Sequence, residues 1–147
     1  QESINFRKIM KAKIKWQEGV SFSGETESGH TLIMDGAPEA GGRNLGPRPM
    51  EMILLGLGGC TAFDVVMILQ KGRHSVTDCF IEIDAKRATE DPKVFTQIHL
   101  HFIVSGKNLA AHHVERAIDL SAEKYCSASI MLRSTANITH DFEIIDV

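Results

Sequence analysis

Pro49–Leu69 reads PMEMILLGLGGCTAFDVVMIL, the longest apolar run in the chain, with Cys60 near its centre. Strands usually run about 4–8 residues, so a run of this length predicts a buried helix. Pro49 suits a first helical turn, where its missing N–H costs nothing, and Glu51 suits the positive N-terminal end. Lys71, Gly72 and Arg73 supply the stop, with basic side chains near the last carbonyls and a glycine able to turn the chain. Gly56, Gly58 and Gly59 each weaken a helix interior by about 1 kcal/mol relative to Ala. Such glycines are tolerated where another backbone comes close, so a second helix is expected against them. They also leave one side of Cys60 open to a small molecule. On position alone the reading of Cys60 as a small core hydrophobe stands ahead.

The same run approaches the length of a membrane span. Asp64 lies inside it, however, and an ionisable group at mid-bilayer is expensive. The sequence therefore favours a buried helix and no membrane partner.

The remaining composition is that of an ordinary globular chain. Its 147 residues suffice for one domain, taken as 1–147, with a sizeable core. Charged residues at 24% and hydrophobic ones at 43% argue against disorder. A net charge of −3 gives no electrostatic footprint for nucleic acid. Gln1–Met10 holds no apolar segment of the secretory kind, and three widely spaced cysteines make no disulfide framework. A reducing cytoplasm is expected, where a disulfide is transient and catalytic.

Outward from the helix, strict alternation marks the strands. Met10, Ala12, Ile14 and Trp16 share one side of a half-buried strand whose other side is Lys11, Lys13 and Lys15. Val20 and Phe22 begin a second strand and His30–Met34 forms a third, giving an antiparallel meander. Residues before about Phe6 are expected to fray. Asp35–Pro47, DGAPEAGGRNLGP, is a long irregular loop that carries Arg43 and leads to Arg48 just ahead of the helix. Val76–Arg87 places Cys79, Ile81, Ile83 and Ala85 on one face, which makes Cys79 an inert core thiol. Phe95–Val104 turns Ile98, Leu100, Phe102 and Val104 inward and Gln97, His99 and His101 outward. A His-x-His pair on a strand can chelate a metal, but no third ligand is evident, so a polar sheet face is expected.

Asn108 is positioned to cap a further helix whose apolar side runs through His113, Val114, Ala117, Ile118 and Ser121. A break near Tyr125–Cys126 would set Cys126 at the N-terminus of a third helix. A thiol there meets partial positive charge, which lowers its pKa. Ile138, His140, Phe142 and Ile144 alternate along a closing strand.

PMEMILLGLGGCTAFDVVMILQKGR and DLSAEKYCSASIML, in this order, resemble the osmotically inducible protein C and organic hydroperoxide resistance family (OsmC/Ohr). The resemblance covers nearly the whole chain and is closest to the YhfA-like branch, which shares the GGC and EKYCS phrases. It implies an α+β, OsmC-like fold, with antiparallel sheets flanking long central helices in an intertwined homodimer. It also implies a thiol peroxidase chemistry. The cysteine matching Cys60 attacks the O–O bond of a small hydroperoxide and becomes a sulfenic acid. The cysteine matching Cys126 condenses with it to a disulfide, and an external dithiol reductant such as a lipoyl group restores the pair. No resident cofactor or metal is implied.

The family's peroxidases activate the reactive cysteine with an Arg–Glu pair. Their glutamate stands ten residues before that cysteine, where this chain has Met50. Glu51 stands nine before, about 100° further round a helix. Arg48 and Arg43 are the candidates for the arginine, and Ser127 replaces the proline that follows the second cysteine. These departures keep a second reading open: a binding or redox-sensing module for an apolar ligand, without peroxidase turnover. Another thiol reaction, with an electrophile or persulfide, is the third.

Overall fold

The computed structural model describes residues 9–147, and the terminus expected to fray lies outside them. The chain groups into two compact units, Gln1–Ile53 and Leu54–Val147. The architecture is α+β with two three-stranded sheets.

The first unit holds the expected meander of β1 (Ala12–Glu18), β2 (Ser21–Thr26) and β3 (Thr31–Met34). Trp16 pairs with Phe22 and Phe22 with Met34, both antiparallel. Gly19 turns β1 into β2 at φ +58°, a conformation that glycine adopts without a Cβ clash. The alternation of β1 is present, yet its apolar side is not half-buried: Ile14 and Trp16 are 61% and 64% exposed. Period two fixes which side chains share a face, but the surface that covers the face must come from elsewhere.

The long loop is organised by Asp35, which is buried. Its carboxylate accepts N–H bonds from Gly36, Arg43 and Leu45 at 2.8, 3.1 and 3.2 Å. Burial opposes the charge, but the three N–H donors and nearby Arg43 outweigh it and hold the carboxyl below its ordinary pKa. The loop thus folds around one anion, with only a 3₁₀ turn at Pro38–Ala40.

Helix α1 (Pro49–Lys71) begins in this unit and runs on through the second. Glu51 accepts the backbone N–H of Arg48 at 2.8 Å, one half of a capping box. At the other end the left-handed residue is Arg73 (φ +60°) rather than Gly72, and the His74 N–H closes back onto Leu69 O at 2.9 Å. The expectation of a wholly buried helix is corrected. Only Leu57, Thr61, Val65 and Leu69 are buried, a stripe at four-residue spacing, while Leu55 and Phe63 are 63% and 66% exposed. Among the described residues α1 is the one helix long and apolar enough to cross a membrane by length and composition. Among the described residues no second helix lies against its glycines: a Cβ at Gly58 would meet Ile83, and Gly56 and Gly59 face open space.

The second unit carries β4 (Ser75–Arg87), β5 (Phe95–Lys107) and β6 (Asn137–Asp146), with β5 central. β4 and β5 are antiparallel, but β5 and β6 are parallel. The second sheet is therefore mixed rather than wholly antiparallel. A parallel neighbour needs a crossover, and α2 (Ala111–Leu120), a π turn (Ser121–Tyr125) and α3 (Ser127–Leu132) supply it. Ile98, Leu100, Phe102 and Val104 are buried as their alternation predicts, with Val114, Ala117 and Ile118 from α2. Asn108 does not cap α2. It sits in a left-handed turn (φ +55°) with its N–H on Asp146, and the residue before α2 is Ala110, which offers no side-chain cap.

Candidate functional site

Cys60 lies midway along α1 and is half-buried. One turn on, Asp64 projects from the same side of the helix, since residues four apart are neighbours on its surface. Cys126 arrives from the far end of the crossover. It is fully buried and both cysteines are free thiols. The two sulfurs and an Asp64 carboxylate oxygen all lie within 4.8 Å of one another.

Local structure explains how Cys126 reaches that place. α2 widens into a π turn at Ser121–Tyr125, and the chain then breaks at Cys126 with extended torsions (φ −76°, ψ 99°). This is the break that the sequence suggested, and Cys126 is the N-cap of α3. Its Sγ accepts the N–H of Ser129 at 3.4 Å, while its own N–H donates to Ser121 O at 2.8 Å.

The expected lowering of the Cys126 pKa is corrected. Burial pushes the thiol up, and the Ser129 hydroxyl and N–H pull it down without cancelling that cost. Cys60 beside it pushes it up again, so the net shift is upward. The helix end is present, but desolvation wins.

A buried chain of hydroxyls fixes Asp64. Ser121 Oγ donates to Asp64 Oδ2 at 2.9 Å, and Thr61 Oγ1 lies 2.7 Å from Ser121 Oγ. Asp64, Ser121 and Thr61 were not singled out from the sequence. The signal for Asp64 was there: it is the only charge between Glu51 and Lys71, four residues after Cys60.

The candidate activators form pairs of their own in the first unit. Arg48 Nε lies 3.9 Å from Glu51, and its Nη1 donates to Asn44 at 2.6 Å. Arg43 Nη2 lies 3.3 Å from Glu18. Cys79 is half-buried on the inward side of β4, and burial followed by the Asp78 charge raises its pKa, consistent with an inert thiol.

The outward histidines are engaged in side-chain pairing. His99 meets Thr139 and Asp141 at 2.7 and 2.9 Å, and His101 meets Asp141 and Glu143 at 2.7 and 3.1 Å. All four ring nitrogens are taken, and hydrogen bonds to Asp141 and then Glu143 raise the His101 pKa.

A cavity of about 450 Å³ adjoins the sulfur site through Thr61 and Ser129. Phe102 and Ile118 are among its apolar walls, and Glu123, Arg133 and His140 are among its polar ones.

Protein YhfA of Escherichia coli K12 is 52% identical over 136 residues, covering 92% of this chain and 98% of its own. The crystal structure of a hypothetical protein from Aquifex aeolicus superposes with a TM-score of 0.84 at 26% identity, covering 95% of this chain and 98% of that one. An organic hydroperoxide resistance protein from Legionella pneumophila shares the fold at a TM-score of 0.69 and 17% identity, covering 93% and 98%. The profile of the OsmC-like proteins matches residues 41–141, which take in Cys60, Asp64, Ser121 and Cys126. With that match and the YhfA identity together, the chain belongs to the OsmC-like family.

Proposed function

We propose that this protein reduces organic hydroperoxides with Cys60 and Cys126. The observation that carries the reading is the meeting of two free sulfurs, 66 positions apart in sequence, within 4.8 Å. The Cys60 thiolate attacks the distal oxygen of ROOH, the O–O bond breaks, and the alcohol leaves after taking a proton. Cys60 is then a sulfenic acid. Cys126 condenses with it, forming the S–S bond and releasing water, before over-oxidation can occur. An external dithiol returns two electrons and two protons.

The division of labour follows from burial. Cys60 is half-buried and within a small peroxide's reach, while Cys126 stays out of solvent. The reading calls for a cation to draw the peroxide, and Arg48, paired with Glu51, and Arg43, paired with Glu18, are its candidates. The working unit in this reading is a homodimer, whose second copy covers the apolar sides of α1 and β1. It takes no nucleic acid and no bilayer.

Thiol titration before and after one equivalent of cumene hydroperoxide tests the proposal. Loss of two thiols per chain, reversed by dihydrolipoamide, is expected; no loss overturns it. The cavity lined by Phe102, Ile118, Arg133 and His140 favours a second reading, an apolar-ligand module, which that negative result would select.

A further inference from the structure

We propose that the reduced Cys60–Asp64–Cys126 cluster is a binding site for a thiophilic divalent cation of the zinc class. The ligand set is two sulfurs and one carboxylate oxygen, all within 4.8 Å of one another. Around a tetrahedral zinc, with Zn–S near 2.3 Å and Zn–O near 2.1 Å, neighbouring ligands stand about 3.5–3.8 Å apart. The ligand atoms must close by about 1 Å to reach that spacing. Cys60 and Asp64 share one helix face, and Cys126 is held by its capping bond to the Ser129 N–H.

The surroundings suit a metal as well. Ser121 donates to Asp64 Oδ2 and is itself held by Thr61, so the carboxylate is oriented by an outer hydrogen bond of the kind that supports metal ligands. Within its own unit Asp64 makes no ion pair among the described residues, which leaves its charge available. Paired thiolates select soft or borderline ions and disfavour magnesium and calcium, which prefer all-oxygen shells. Three protein ligands leave a fourth position for water. Starting from two thiols and one carboxylate, binding of M²⁺ releases two protons and changes no oxidation state. It is lost once the sulfurs are joined.

Taken with the proposed peroxidase chemistry, on which this one consequence rests, metal and hydroperoxide compete for Cys60. Bound zinc would then hold the enzyme inactive and protect it from over-oxidation.

Cobalt(II) serves as the probe, added anaerobically to the full-length protein reduced with a phosphine. A near-ultraviolet thiolate-to-cobalt charge-transfer band and the visible bands of a tetrahedral ion are expected at one equivalent, both discharged by zinc. Cys60→Ser and Cys126→Ser each lower the charge-transfer intensity about twofold, in proportion to the thiolates left. Asp64→Asn and Ser121→Ala weaken zinc at least about tenfold, as loss of ligand or outer-sphere support does. Cys79→Ser leaves the spectrum unchanged. Absence of the band, full intensity in Cys126→Ser, dependence on Cys79, or binding that survives oxidation of the pair would each overturn the site. Circular dichroism confirms that each variant is folded, and Cys126→Ala repeats the test should the serine variant unfold. A protein that binds cobalt yet ignores cumene hydroperoxide retains the metal site and loses the peroxidase; the converse result does the opposite.

Discussion

Ser121→Ala tests the hydroxyl chain that orients Asp64. Ser121 is fully buried, donates to the Asp64 carboxylate at 2.9 Å and lies 2.7 Å from the Thr61 hydroxyl. A hydrogen bond to a charged acceptor contributes about 1.5–3 kcal/mol, and a buried hydroxyl left unpaired costs about 1–3 kcal/mol. Thr61 can rotate its hydroxyl toward the carbonyl one turn back in α1, which offsets part of that second cost. The net expectation is a loss of about 2–3 kcal/mol. Urea denaturation at fixed protein concentration measures it, with the midpoint falling and the slope unchanged. The same loss lowers the melting temperature by about 4–12 °C for a chain of this size. Adding Thr61→Val removes both hydroxyls together, so the double variant should lose less than the sum by at least about 0.5 kcal/mol. A Ser121→Ala protein within about 0.5 kcal/mol of wild type, or strict additivity in the double variant, would refute the argument.

Oxidation of Cys60 to Cys126 closes a loop of 66 positions, which by chain entropy stabilises the fold by about 4 kcal/mol at 25 °C. A melting temperature about 10 °C higher after peroxide treatment is expected, and two lost thiols with no rise would point to disulfides between chains. Cys126→Ser retains a capping oxygen for Ser129 N–H and should stay within about 1 kcal/mol of wild type, whereas Cys126→Ala loses about 1 kcal/mol relative to the serine variant; equal stability of the two in urea would deny the cap. The raised pKa of His101 means that its pairing with Asp141 and Glu143 is fully stabilising below the ordinary histidine value near 6.5 and is lost as pH rises through the folded value. Urea midpoints should therefore decline from about pH 6.5 upward, less steeply in His101→Gln, and identical profiles would contradict the assignment.

The readable parts of the sequence were those set by a local period or a local break. Alternation placed most of the described strands and a turn placed β3, run length gave α1, and the fault after Tyr125 put Cys126 at a helix start. Three matters were not local. A pattern names the apolar side of an element, not what covers it, so β1 and much of α1 were expected to be covered and are exposed. The direction of β6 depends on the whole crossover, which its own residues do not encode. Glu51 was legible as an acid suited to a helix start, and its bond to the Arg48 N–H three residues back came only with the structure. At Asn108 the side chain favoured a cap, but the backbone entered a left-handed turn toward Asp146. The site divides in the same way. The family phrases pointed to both cysteines, whereas Asp64 served only as a charge against a membrane span. Its role needed Ser121, 57 residues on, to become visible.

The sign of the Cys126 shift carries a consequence for which sulfur reacts first. A cap position by itself favours the thiolate, and the Ser129 N–H is in place at 3.4 Å. Burial outweighs it, so the Cys126 thiol holds its proton more tightly than an ordinary cysteine. Susceptibility to electrophiles follows thiolate character and exposure, and Cys126 has neither. Cys79 is similarly held back by burial and by Asp78. Cys60 is half-buried beside open helix surface at Gly56 and Gly59. Iodoacetamide added to native, reduced protein near neutral pH should therefore label Cys60 first, with Cys126 protected until the chain is unfolded in urea. Peptide mass mapping over time reads the order. Labelling of Cys126 at a rate equal to that of Cys60 would show that burial does not govern the pair, and the assignment of attacking and resolving sulfurs would lose its physical basis.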